Sequence, residues 1–421
     1  MISRVTLLQY AGKAVFCLFL YFYCLSAFGQ NSNNYFLKRD SIFKFAQPFL
    51  LVQSYGLYTM GERADLNNDG QTEAIGNRFN LFFRRARVGF RGEPYQNLRY
   101  TLVLFYDNLG KDDFTGTRGT NNGEARVGVF EAFGQWRLTQ KSDLFHLSFG
   151  FFRPQISRES ITSAWNVNSL EKAISQNYTR QFTIGRSTGR TMGLNLGGLY
   201  HKNNFGVNYN IGMFTNEFTS KDPATVNTSA GTVWSPVWVG RTALTFGQPE
   251  MKNYGILYFI DYFNERNGLT IAPVASYQGK TDVFDKSYSF GGDMLLNYKN
   301  LNLDGEVLQM YRHRGSQSYS FLTTHIRAGY NIVIARKYII EPVAMLAYYK
   351  GDTHASEVKF LDGEDVVWDV GLNWYLDRNF LKIVLHYVSQ DGYGANNLYT
   401  RQNSRKAEKG DYVGIGFLVN I

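Results

Sequence analysis

Residues 412–421 read YVGIGFLVNI, with Val413, Ile415, Phe417, Val419 and Ile421 alternating with Gly414, Gly416 and Asn420. Residues 204–214, NFGVNYNIGMF, repeat the pattern: Phe205, Val207, Tyr209, Ile211 and Met213 alternate with Gly206, Asn208, Asn210 and Gly212. In residues 98–107, LRYTLVLFYD, the even positions are Leu98, Tyr100, Leu102, Leu104 and Tyr106, and the odd ones include Arg99, Thr101 and Asp107. Side chains alternate sides along a strand, so each segment has one apolar face. A soluble sandwich alternates in the same way, and the polar face decides between the two. That face carries Arg, Asp, Asn and many glycines, while Tyr, Trp and Phe edge the apolar one. Lipid outside, water inside and aromatic belts at both interfaces produce this arrangement. The pattern predicts an all-β protein, a closed antiparallel transmembrane β-barrel over residues 46–421.

The N-terminus agrees with export. Residues 1–29 place Arg4 and Lys13 before or at the edge of an apolar run, with Ala27-Phe28-Gly29 as a cleavage site, which reads as a secretory signal. The run is shorter than the roughly 20 residues that a spanning helix needs. Both cysteines, Cys17 and Cys24, fall inside it, so no disulfide or thiolate metal site is expected in the exported chain. Cys24 follows Tyr21-Phe22-Tyr23, which is not a lipoprotein cleavage box. Residues 30–45 read as a short periplasmic segment. Aromatic residues make up 16% of the chain, high for a soluble domain and expected of aromatic belts. The formal charge of +9 is spread among strands and loops, so it is not a nucleic-acid signal.

Runs of alternation between breakers give sixteen candidate strands, an even number as such barrels require. Short turns at 93–96, 139–142, 202–203, 299–300, 335–336 and 377–378 each join an even strand to the next odd one. Long loops at 61–77, 108–124, 155–189, 216–234, 351–363 and 391–409 fall at the other end. Short turns are periplasmic in outer-membrane barrels, so both termini are expected there. Two places break the pattern. Residues 248–267 should be a short turn but contain an apolar run, which suggests either an interfacial segment or a hidden hairpin. In residues 78–91 the apolar phase changes between Leu81 and Phe83 and the later Val88 and Phe90, as a β-bulge near Arg84-Arg85 would cause.

Residues 82–92, FFRRARVGFRG, and 150–163, GFFRPQISRESITS, resemble the basic second strand and the entry to the third loop of the phosphate-selective porin O/P family. Gly150, Phe152, Ser157, Arg158, Glu159 and Ser163 fit the family pattern. Arg153 stands where a lysine is usual, and Pro154 lies one place early. The resemblance implies a sixteen-stranded passive porin of the outer membrane, often trimeric, with inward-folded loops and an arginine-lined lumen. The implied partners are membrane lipid and lipopolysaccharide and small anionic or polar solutes, with no cofactor.

Arg85, Arg87 and Arg91 share the face opposite Val88 and Phe90, and Arg99 shares the inward face of the next strand. Loop three and its flanks add Arg153, Arg158, Arg186 and Arg190, with Lys172 and Arg180. Guanidinium groups in a narrow pore lower the energy of a passing anion, and their planar fork suits oxyanions. The competing reading is structural: Asp107, Glu131, Asp293, Asp304, Glu306, Glu341 and Asp369 also face inward, and could tie the arginines to the wall. Ile161, Trp165, Val167, Leu170 and Ile174 could anchor loop three inside the barrel, with a short helix around 167–175.

Asp65, Asn67, Asp69, Gly70 and Glu73 begin like a calcium loop, but Gly76 stands where the closing glutamate is required. His146 and Ser148 have the His-x-Ser spacing of outer-membrane phospholipases. They lie on the lumen face, whereas those enzymes present the pair to lipid. Passive diffusion of small hydrophilic solutes with anion preference is the leading function. A structural or secretion barrel without an open pore, and an outer-membrane hydrolase, remain as alternatives. A wet lumen also predicts that Asn208→Arg is far milder than Leu102→Arg.

Overall fold

The computed structural model describes residues 45–420 apart from 68, 118–126, 187, 219–231, 259–262, 264–265, 336–337 and 392–406. The secretory segment expected at 1–29, and all of 30–45 but its last residue, lie outside the described residues.

The strands run β1 (Gln47–Met60), β2 (Arg78–Tyr95), β3 (Leu98–Phe105), β4 (Gly128–Arg137), β5 (His146–Phe152) and β6 (Thr191–Lys202). They continue as β7 (Phe205–Phe214), β8 (Val237–Gly247), β9 (Gly268–Gln278), β10 (Lys286–Tyr298) and β11 (Leu301–Arg314). The last are β12 (Gln317–Tyr330, resuming over Ile332–Ile334), β13 (Tyr338–Lys350), β14 (Glu364–Asp377), β15 (Leu381–Asp391) and β16 (Asp411–Asn420). Each pairs antiparallel with its sequence neighbours. β1 closes the sheet, pairing with β16 from Leu51↔Asn420 to Met60↔Asp411 and with β2 on its other edge. Closure is obligatory in lipid, where each unpaired backbone group costs several kcal/mol. The sixteen strands expected from the alternation are those of the barrel; among the described residues Arg63–Ala64, Glu73–Ala74 and Ala407–Glu408 pair in a separate small sheet.

The two faces follow the parity read from the sequence. Leu102, Ile211, Trp238, Phe290, Ile326, Trp368 and Ile415 are exposed on the outside. Asn210, Arg241, Asp293, Arg327 and Asp369 are buried inside. In β2, Leu81, Phe83, Val88 and Phe90 are all exposed, and the consecutive Arg84 and Arg85 both reach Glu171. The change of phase therefore falls where it was expected, but the register against the following chain is the same at Phe83↔Leu109 and Arg87↔Phe105, and the register shift of this strand lies between Gly92 and Tyr95. Asn97, Asn203, Lys299, Ala335 and Arg378 each have φ between 48° and 69°, the left-handed conformation that tight hairpin turns demand. All five lie on the short-turn rim.

Among the described residues of 248–267 no strand forms, and residues 249–258 lie inside the barrel rather than at the interface. Gly247 pairs with Gly268, so the excursion leaves and re-enters one hairpin. Tyr254, Ile256 and Tyr258 are buried against the inner wall. Tyr254 and Ile256 join Phe133, Phe152, Phe214, Val237 and Val239 in an apolar cluster inside the barrel.

Candidate pore constriction

Loop three, from Arg153 to Arg190, begins with a one-turn helix α1 (Arg158–Ile161), whose N-cap Ser157 Oγ accepts from Ser160 N at 3.0 Å. The helix expected near 167–175 forms later, as α2 (Ser175–Ile184), which ends at Gly185 with φ of 82°. Val167, Leu170 and Ile174 are buried anchors, but they serve a non-helical run.

Its contacts place this loop across the lumen. It leaves β5 and returns to β6, yet Tyr55 Oη donates to Leu170 O at 2.5 Å, and Lys382 Nζ to Val167 O at 2.9 Å. Leu170 N donates to Asp369 at 2.8 Å, Tyr178 Oη to Asp365 at 2.7 Å, and Arg312 to Phe182 O at 2.5 Å. These partners lie on β1, β11, β14 and β15, so the loop spans from one wall to the other.

Three charged groupings fix it there. Arg327 Nη2 lies 3.0 Å from Glu159 and 2.8 Å from Asp304, while Glu306 accepts from Ser157 Oγ at 2.8 Å. His325 completes this group, 3.3 Å from Asp304 and 3.0 Å from Ser175 Oγ. Glu159, Asp304 and His325 come close enough together to suggest a metal triad, but the Arg327 guanidinium bridges the two carboxylates. The second grouping joins Arg158 to Glu250 (2.5 Å) and Asp293 (3.0 Å), with Arg241 also on Asp293 at 2.8 Å.

The third is basic. Arg153, Lys172 and Arg180 all donate to Ser160 O, at 2.5, 3.3 and 2.8 Å. Glu131 pairs with Arg153 at 3.2 Å and Arg190 at 3.0 Å. All four cations are buried. Burial first, and then Arg180, push the Lys172 ammonium well below the usual lysine range. A cavity of about 460 Å³ adjoins this cluster, lined by Phe105, Phe130, Gln181, Arg186, Arg190 and Glu217.

The arginines singled out in the sequence divide into two sets. Arg85, Arg87, Arg153, Arg158 and Arg190 are buried and paired. Arg85 binds Gln53 and Glu171, and Arg87 binds Asp107 at 2.6 Å. Arg87 and Arg190 both stack on Phe130, their guanidinium carbons 3.6 and 3.4 Å from the ring centroid. Arg91, Arg99 and Arg186 are exposed. Arg99 faces Glu93 at 3.6 Å, Arg186 pairs with Glu217, and Arg91 lies near the Phe49 ring.

Burial opposes the charge of Glu171, but Arg84 and Arg85 outweigh it and hold the carboxyl at about 2. With a depressed folded-state pKa, its clamp on loop three is fully present above the ordinary carboxylate value of about 4.3. It is lost only as pH falls through about 2. Acidification from neutrality to about pH 4 should therefore leave loop three docked, with its resistance to protease unchanged.

Glu159, Glu171 and Glu250, which hold the constriction together, carry no periodic signal because they lie in loops. Arg241, His325 and Arg327 were readable as inward by parity and were passed over. His146 and Ser148 are buried in the lumen, with His146 held by Asp143 at 3.1 Å and tilted against the Tyr254 ring. Asp65 accepts with both carboxylate oxygens from the backbone N–H groups of Asp69 and Gly70, at 3.2 and 3.0 Å.

No protein of curated function matches the sequence. Among solved structures, Salmonella typhi OmpF in complex with daunomycin is similar at 11% identity and a TM-score of 0.55, covering 89% of this chain and 97% of that one. Pseudomonas putida OprB at high pH gives 7% identity and 0.54, covering 91% and 96%. An anion-selective porin from Comamonas acidovorans gives 9% and 0.51, covering 89% and 98%. These likenesses establish the fold. Residues 58–421 match the family described as phosphate-selective porin O and P. This is an integral outer-membrane β-barrel that acts as a passive diffusion porin, and the chain belongs to the phosphate-selective porin O and P family.

Proposed function

We propose that the pore prefers anions, with phosphate-type oxyanions among its solutes. The observation that carries this reading is the gathering of Arg153, Lys172, Arg180 and Arg190, of which Arg190 lines the cavity, in low-dielectric surroundings that strengthen their field. The selectivity of the Comamonas porin and the family's name agree with it. Arg85, Arg87 and Arg158 serve chiefly as wall struts, while Arg186 and Arg190 face the cavity. Family practice orients the short-turn rim and both termini toward the periplasm, with residues 1–29 as the exporting signal and lipopolysaccharide around the other rim. Cross-linking in native membranes would check for the homotrimer that the family implies.

Reversal potentials across a planar bilayer in asymmetric KCl test the preference. Anions should be favoured in the wild type, and Lys172→Gln with Arg180→Gln should lower the anion-to-cation ratio. Lys172 is charged below its depressed pKa, so the preference should weaken as pH rises through a value below the ordinary ~10.4 of lysine. Lys172→Gln should abolish that step. Salt should weaken the preference too, since the screening length falls from about 10 Å at 0.1 M to about 3 Å at 1 M. A wild-type pore that prefers cations would mean that Glu341, Asp365 and Asp369 on the opposite wall govern permeation.

A further inference from the structure

Residues 249–258 enter the barrel from the short-turn rim, opposite to loop three, and run along the wall of β4–β8. They are held as an extended strand would be, at alternate residues. Tyr254 O accepts from Gln135 at 3.3 Å, Ile256 O from Gln155 at 3.0 Å, and Tyr258 O from Ser163 N at 3.1 Å. The side chains are specified as closely. Tyr254 Oη donates to Asn210 at 2.6 Å and accepts from Asn195 at 3.0 Å. Tyr258 Oη donates to Asn208 at 2.9 Å and accepts from Arg241 at 2.9 Å. The wall is shaped to receive them: a Cβ on Gly197 would fall 2.1 Å from Tyr254 Oη.

Loop three meets this segment directly. Thr162 bridges to Tyr258, and Arg158 grips Glu250 with two donors, at 2.5 and 3.1 Å. The same guanidinium is anchored to the wall through Asp293. Two insertions from opposite rims thus join at one buried arginine.

We propose that residues 249–258 form a second constriction of the pore, a strap that with loop three sets the size limit for solutes, latched by the Arg158–Glu250 ion pair. The proposal rests on the porin reading. Tyr254, Ile256 and Tyr258 occupy lumen that a simple hairpin turn would leave to water, so solutes pass only where neither insertion lies. Glu250 determines specificity by position, since it holds the strap against loop three and need not touch the solute.

The test uses the full chain in planar bilayers, with liposome swelling by sugars of graded size. Three variants are compared: Glu250→Gln, the double Tyr254→Ala and Tyr258→Ala, and replacement of residues 251–258 by Gly and Ser at equal length. Glu364→Gln, on an exposed ion pair, is the control. The replacement should raise conductance severalfold and admit larger sugars. Glu250→Gln should give an intermediate gain, with switching between current levels. A closed wild type beside a conducting replacement would support the strap equally. Wild-type conductance and sugar cut-off in all three variants would overturn the proposal and leave the porin reading intact. A replacement that fails to fold, joined to an unchanged Glu250→Gln, would overturn it too. No conductance in any of the proteins would instead refute the porin reading.

Discussion

Arg327→Met should destabilise the barrel by about 3–5 kcal/mol, the usual cost of leaving buried charges without their partner. Arg327 stands between Glu159 of loop three and Asp304 of β11, with Nη2 within 3.0 Å of both. All three side chains are almost wholly buried. Without the guanidinium, two carboxylates face each other beside the His325 ring, whose Nε2 lies 3.9 Å from Glu159 and 3.3 Å from Asp304. One must take up a proton or loop three must lift from the wall. Unfolding in urea from lipid vesicles reads the loss, and protease sensitivity of loop three reports which route is taken. Adding Asp304→Asn should restore part of the stability, because it removes one of the orphaned charges. A loss below about 1 kcal/mol, the range of exposed ion pairs, would mean that water reaches this cluster and loop three is held elsewhere.

The barrel was legible because lipid imposes a period of two on every strand, and the short turns count the hairpins. The phase change in β2 was legible for the same reason, since apolar residues must face lipid on both sides of it. The state of the lumen was not. An inward asparagine reads alike whether it faces water or a tyrosine of an inserted segment, so Asn195, Asn208 and Asn210 gave no hint that Tyr254 and Tyr258 cover them. The parity argument likewise put arginines and carboxylates on the same inner surface without saying which met. Arg85, Arg158 and Arg327 also meet Glu171, Glu250 and Glu159, which sit in a loop or a loop helix where no strand parity fixes direction. The helix of loop three was misplaced because Val167, Leu170 and Ile174 have helical spacing. Gly185, at the left-handed position that closes α2, was the better marker.

Leu102→Arg and Asn208→Arg make the remaining contrast, and here the structure removes the expected difference between a harsh outer change and a mild inner one. Leu102 lies exposed on the outer face near the middle of β3, so a guanidinium there should cost about 2–4 kcal/mol at the bilayer midplane, falling toward the interfaces. The sequence pattern alone placed Asn208 in open water, where arginine would be tolerated. It is buried, and its Oδ1 accepts from both Tyr258 Oη and Asn210 Nδ2 at 2.9 Å. A longer cation there must displace Tyr258 and lie beside Arg241, itself committed to Asp293. The two variants should therefore both destabilise, by different routes. Leu102→Arg should lose stability without changing the current of those barrels that assemble, because the lumen is untouched. Asn208→Arg should change conductance as well, because it dislodges residues that fill the lumen. An Asn208→Arg barrel of native stability and native current would show that water, not Tyr258, occupies that wall.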